Sequence, residues 1–302
     1  MLYILLLFTS IVIITTITTV HTKTIVSPFK MWYNVDNVID AATHIFSDGK
    51  EPYPYVTPVV PDSLSTCNAN YLIEKMNENG VSKSIITQPI NHKFDHSYLD
   101  SVLSSSLSSR LHGIFLFNPH LAVGEGKSMI YEFKMKKYVG MRLNPALFRE
   151  GDSVSASKGR EIYKYCGVLE LPVNIMCFDG GLKRYYNDII NLVESSPDTQ
   201  LVIDHCGFFL QSNEIDDDSW AKLLSLAKHP NVYVKVSALF RLSKESVPFL
   251  DLDERLISLV ECYGTHSPTH SPTHSLTHSL THSLSHSLTH SLTHSLTHSL
   301  TH

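Results

Sequence analysis

Leu201–Gly207 reads LVIDHCG: three apolar residues, then an acid, an imidazole, a thiol and a glycine. A short apolar run ending in chemistry-bearing side chains is the pattern of a strand buried on both faces whose C-terminal end opens onto a site. The pattern recurs outward in both directions. Upstream stand Val35–His44, Lys83–Pro89, Leu111–Pro119, Val139–Pro145 and Pro172–Phe178, and downstream stands Val232–Leu239. Helical stretches alternate with them at Asn70–Asn79, Ser97–Ser109, Met129–Lys137, Gly159–Glu170, Leu182–Ser195, Trp220–His229 and Leu252–Tyr263. Seven such units predict a parallel sheet covered by helices. The fold class is therefore α/β, a TIM-type (β/α)8 barrel. It is incomplete, because a closed barrel wants eight units and the eighth strand and last helix are missing. Strands one and seven then each present an open edge, which predicts an aggregation-prone chain.

The alternation stops at Gly264. Residues 265–302 repeat Thr-His-Ser-Leu and hold ten of the 18 histidines. A four-base DNA repeat, ACTC, encodes those four residues in every forward frame, and single base changes account for Pro268, Pro272 and Ser285. Translated simple-sequence DNA, or a truncated gene model, explains the tail better than a His-rich metal tract. With no varied apolar face, the repeat predicts a disordered segment. At the other end, residues 1–22 form an uncharged apolar leader, with Lys23 the first basic residue. It reads as a signal peptide or membrane anchor, giving a secretory or membrane-associated location with a tether through the N-terminus. The alternative is cytoplasmic. It rests on the five cysteines, an odd number without a disulfide framework, and on the lack of any Asn-x-Ser/Thr sequon. The domain reading is therefore 1–22 leader, 35–264 barrel and 265–302 repeat. The net charge of −5 without a basic stripe gives no expectation of nucleic-acid binding.

Polar residues gather where the strands end: Asp40 and His44, Gln88 and Asn91, Asn118, Arg142 and Asn144, Asp204 and His205, Lys235 and Ser237, with Arg241 just beyond. Alternation on a strand puts positions 40, 42 and 44 on one face. Arg142 interrupts an apolar strand, and a buried guanidinium needs a carboxylate. A substrate acid is the favoured partner, with Asp40 or Asp204 the internal alternatives. His92 and His96 have a spacing that suits a metal on a helix turn, but a polar loop is the favoured reading, with lid contacts second; Cys177 and Cys206 read as inert core thiols.

Val38–His44 (VIDAATH), Gln88-Pro89, Gly140–Asn144 (GMRLN), Ile203–Gly207 (IDHCG) and Val234–Arg241 (VKVSALFR), in this order, resemble the amidohydrolase-related (amidohydrolase 2) family of metal-dependent hydrolases, in its lactonase-like branch. The resemblance spans Asn37 to Gly264. It implies hydrolysis of a small carboxylated lactone, ester or amide, with decarboxylation also known in the family. It implies catalytic roles for His44, His205 and Asp40, and polarisation of the scissile carbonyl by the two imidazoles, directly or through a metal. Substrate binding falls to Arg142, Asn144, Gln88, Asn118, Lys235, Ser237 and Arg241. One divalent, zinc-like metal at His44 and His205 is implied, with a metal-free site as the alternative. The chain departs from the family pattern twice: Ala42 stands where the first-strand motif has a second histidine, and no Trp-Gly-Ser-Asp segment supplies the last aspartate. Both departures leave a rival reading, a pseudoenzyme or ligand-binding protein that keeps the pocket without the chemistry.

Overall fold

A computed structural model describes residues 12–13, 38–57, 66–211, 214–246 and 249–264. The expected disordered tail and all of the leader except Val12–Ile13 lie outside the described residues. Among the described residues ten strands occur in chain order: β1 (Val12–Ile13), β2 (Val38–Thr43), β3 (Val81–Thr87), β4 (Leu111–Leu116), β5 (Tyr138–Leu143), β6 (Val173–Ile175), β7 (Leu201–Ile203), β8 (Leu210–Gln211), β9 (Glu214–Ile215) and β10 (Val232–Val236). The helices are α1 (Ala69–Glu78), α2 (Ser97–Leu103), α3 (Val123–Met135), α4 (Ser157–Val168), α5 (Gly181–Ser195), α6 (Asp217–Ser225) and α7 (Asp253–Gly264).

Strands β2 to β7 and β10 form one parallel sheet in sequential order, β2-β3-β4-β5-β6-β7-β10. Each crossover carries a helix, as parallel neighbours require. This is the seven-strand, nearly closed barrel that the alternation predicts. The outer edge of β10 is not bare, however: Val12 and Ile13 pair with Lys235 and Val236 in parallel. Among the described residues no helix is long and apolar enough to cross a membrane.

The core has two layers. The larger packs the helices onto the sheet: Met76, Leu99, Ile130, Ile162, Ile189 and Leu223 from helices meet Phe115, Met141, Ile175 and Ile203 from strands. The smaller holds only strand residues, Ala41, Ile85 and Ile114, with Ile39 and Val139 packed on them. With no helix contributing, it lies on the inner face of the barrel. Pairing carries that face across the sheet. Ile114 pairs with Gly140, so Arg142 two residues on shares its side and faces Asn174. Asn174 pairs with Val202 and Val202 with Tyr233, which puts Lys235 on the same inner face. The barrel interior thus turns from apolar to ionic between β4 and β10.

Candidate active site

Asp204 is the centre of the cluster. It has no solvent exposure. Arg142 Nε donates to its Oδ2 at 2.9 Å and Asn174 Nδ2 to its Oδ1 at 3.0 Å. Lys235 Nζ stands 3.4 Å from the same Oδ1, an ion pair without hydrogen-bond alignment. Burial alone would raise the Asp204 pKa, but Arg142 and then Lys235 outweigh it and hold the carboxyl well below the usual carboxylate range. The partner of Arg142 is therefore Asp204, not a substrate acid alone as the sequence favoured. Only Nε is committed: the terminal Nη groups of Arg142 have no hydrogen-bond partner among the described residues.

His44 and His205 stand against this cluster. His44 feels the charges of Arg142, His205 and Asp204; His205 feels those of Asp204, Arg142, Lys235 and Arg241. Burial, the largest cause for both, lowers His44 to about 3 and His205 to about 4. Both rings are neutral at physiological pH. His44 Nδ1 lies 2.7 Å from the Thr87 carbonyl oxygen, so Nδ1 carries the proton and donates it. Its Nε2 is then a lone-pair acceptor. That corrects the expectation that neutral His44 polarises a carbonyl directly, because an acceptor nitrogen has no proton to offer. His205 Nδ1 meets Ser237 Oγ at 2.7 Å, where either atom can donate. Ser237 thereby positions an imidazole.

The backbone bends sharply to present His205. The sequence runs the strand to Gly207, but β7 stops at Ile203. His205, Cys206, Gly207 and Phe208 come next in left-handed conformation, with φ of 52°, 48°, 69° and 54°. Such a conformation costs a non-glycine residue about 1–3 kcal/mol, and clusters of it mark sites held by their surroundings. The Cys206 thiol, pushed up to about 12 by burial, points at the Lys235 carbonyl 3.7 Å away and ties the turn to β10. Burial also raises Cys177, so both thiols stay protonated.

Asp40 behaves differently from Asp204. Burial raises it to about 6, against a hydrogen bond from Ala42 N–H at 3.0 Å and the charge of Lys235. The simple alternation expected for positions 40, 42 and 44 is broken. Asp40 pairs with Ser84 but Thr43 with Ile86, three residues on β2 against two on β3. A bulge inserts one residue there and re-aims the side chains beyond it.

The other sequence-selected residues have local tasks. Gln88 is buried and its NH2 group donates to the carbonyls of Asp95 at 2.6 Å and Lys93 at 3.3 Å, holding the loop after β3. Asn118 Oδ1 accepts from His120 N–H, and Asn144 Oδ1 from Ala146 N–H, each closing a turn at a strand end. Arg241 is exposed and lies over the rings of Phe178 and Phe240, 5.7 and 5.5 Å from their centroids. Phe208 packs edge-on to both Phe178 and His205. These aromatic rings escaped the sequence reading. So did Asn174, although a lone amide in the apolar run VNIMCF is the same signal that singled out Arg142. Two clefts of about 570 and 550 Å³ lie elsewhere, lined by Asn68, Tyr98 and Ser101, and by Trp220, Glu254 and Arg255. The ionic cluster touches neither.

The amidohydrolase family model matches residues 77–266, more than half of the chain. The chain belongs to the amidohydrolase family. No curated protein matches this amidohydrolase in sequence. Among solved structures it is similar to a probable 2-pyrone-4,6-dicarboxylic acid hydrolase from Acinetobacter baumannii with citric acid bound. The TM-score is 0.60 at 19% identity, over 76% of this chain and 79% of that one. A putative enzyme of the same description from Pseudomonas putida gives 0.58 at 21% identity, over 76% and 79%. An amidohydrolase from Burkholderia multivorans with bound zinc gives 0.56 at 14% identity, over 83% and 92%. At these identities the likeness shows the barrel fold.

The donor set of this amidohydrolase does not fit such a metal. Zinc takes three protein ligands even in an open catalytic site. Ala42 offers none, and both oxygens of Asp204 are committed to Arg142, Asn174 and Lys235. Among the described residues no group of three or more His, Cys, Asp or Glu side chains is arranged to hold a metal ion.

Proposed function

We propose that this amidohydrolase hydrolyses a small carboxylated lactone, ester or amide, with the substrate acid held at Arg142. One observation carries the reading: Arg142 is fixed through Nε to a buried carboxylate, while its terminal N–H groups have no partner among the described residues and stand near two neutral imidazoles. A planar guanidinium with free parallel donors favours a bidentate carboxylate. The citric acid bound by the Acinetobacter neighbour supports a carboxylate ligand.

The residues then divide the work. With Ser237 Oγ–H donating to Nδ1, His205 presents Nε2–H to the carbonyl oxygen as negative charge develops there. His44 Nε2 accepts a hydrogen bond from the attacking water and orients it. Asp40, with a pKa near 6, takes the water's proton and returns it to the leaving group. The family's last-strand aspartate is not needed for this proton path.

The test is a panel of lactones, esters and amides in pairs with and without a carboxylate. The expected result is turnover of the acid-bearing members alone, lost in Arg142→Met. Release of carbon dioxide without hydrolysis would replace hydrolysis by decarboxylation. The rival binding-protein reading draws on Ala42 and the committed Asp204. Tight citrate binding without turnover of any member, alongside turnover gained in Ala42→His with zinc, would establish that rival.

A further inference from the structure

Lys235 has no task in that hydrolysis. It is 6% exposed, its register puts it on the inner face of the barrel, and its buried Nζ has among the described residues only the Asp204 carboxylate at 3.4 Å, without an aligned hydrogen bond. An ammonium has three N–H donors, and leaving them unmet in a dry site is costly. The neutral amine suffers less. Burial and the Arg142 charge favour that neutral form against the pull of Asp204, and the net shift of Lys235 is downward. A desolvated amine beside another cation is the usual form of an activated nucleophilic lysine.

The neighbours complete the argument. Arg142 and Lys235 flank the two oxygens of one carboxylate, at 2.9 and 3.4 Å. A 2-oxo acid joins its carboxylate and its carbonyl carbon by a single bond. An acid gripped by the free end of Arg142 therefore brings an electrophilic carbon toward the adjacent amine. Asp40 also feels the Lys235 charge and supplies a carboxyl that can carry protons.

We propose that Lys235 is a nucleophilic amine that captures the carbonyl of a small 2-oxo acid as a protonated imine. The Lys235 ammonium first releases one proton to Asp40, and the Nζ lone pair forms a C–N bond with the carbonyl carbon as the C=O π pair moves to oxygen. That oxygen takes one proton from Nζ and the one held by Asp40 and leaves as water, while the nitrogen lone pair closes the C=N bond. The net change is ammonium plus ketone to iminium plus water, with no oxidant or reductant. This inference shares the Arg142 grip with the hydrolase reading but not its substrate bond.

The full chain is incubated with pyruvate and trapped with borohydride, then mapped by peptide mass spectrometry. The expected result is one reduced adduct on the peptide carrying Lys235, in excess over every surface lysine. Acetone, which lacks the carboxylate, should label at least about tenfold less, the value of one charged hydrogen bond. Lys235→Met should abolish the adduct, and the map of the natural protein decides the matter even if that variant fails to fold. No adduct at Lys235, labelling scattered over surface lysines, or equal labelling by acetone would each overturn the proposal. Trapping without lactone, ester or amide turnover sinks the hydrolase reading and leaves this one standing; turnover without trapping does the reverse.

Discussion

His44 and His205 at the strand ends can be set against His92 and His96 in the segment after β3. All four imidazoles have lowered pKa values, and burial is the leading cause each time. What separates them is hydrogen bonding. His96 donates from Nδ1 to the Phe94 carbonyl at 2.9 Å and accepts the Leu116 backbone N–H on Nε2 at 3.0 Å. Both of its nitrogens are spent, and its ring packs 4.6 Å from that of Phe133. His92 is buried against Tyr55 and meets Ser47 Oγ. His44 and His205 each spend Nδ1 and keep Nε2. A perturbed pKa alone therefore does not mark a functional imidazole; a perturbed ring with an uncommitted nitrogen does.

The comparison makes predictions that fall in order of size. Asp204→Ala should be the most damaging change. It strands the buried Arg142 guanidinium and removes the carboxylate beside Lys235, and breaking a buried pair in this way costs about 3–5 kcal/mol, read as a drop in the denaturant midpoint. A loss under about 1 kcal/mol would mean that the cluster is solvated. Next comes His44→Ala, which should cut turnover by at least about 10²-fold while moving stability less than His96→Ala does. His96→Ala should do the opposite. It leaves the Leu116 N–H and the Phe94 carbonyl unmet, for about 1–3 kcal/mol of stability, with the mouth chemistry intact. If the two variants exchange phenotypes, the distinction between spent and free nitrogens fails.

The last prediction concerns pH dependence. His44, His96 and His205 fall from 6.5 to about 3, 4 and 4 on folding, so the unfolded chain takes protons that the folded chain refuses. Their contribution is present above pH 6.5 and is lost as pH falls toward 4. Asp40 runs the other way. Raised from 3.8 to about 6, it contributes fully below pH 3.8 and loses that contribution as pH rises through 6. The denaturation midpoint should therefore decline from pH 7 to pH 4.5, and Asp40→Asn should steepen the decline by removing the opposing group. An unchanged slope in Asp40→Asn would show that its carboxyl is not buried.

The parallel sheet was legible because short apolar runs between helical stretches have few other ways to bury themselves. The seven helices were legible too, with ends displaced by a few residues where the chain tightens: the stretch read as Ser97–Ser109 is α2 plus a separate 3-10 turn at Ser106–Ser109. Arg142 and Lys235 were found as charges interrupting apolar strands, and Asp204 and His205 as polar residues at a strand end. Their pairing was not, because Arg142 and Asp204 come from different strands and only packing selects Asp204 over Asp40. The bulge in β2 and the early end of β7 were also invisible. Both depend on what neighbouring strands require, and a period-2 pattern carries no mark of an inserted residue.

The left-handed turn after β7 has a consequence for how this chain can change. Glycine is the one residue that adopts that conformation freely, so it is the obvious relief for three strained positions. At His205 it removes the imidazole. At Cys206 and Phe208 it removes side chains only 1% and 2% exposed, trading backbone comfort for a hole in the packing. Drift and heat selection alike are thus blocked at this corner, and any descendant that gains thermal tolerance must gain it elsewhere in the chain.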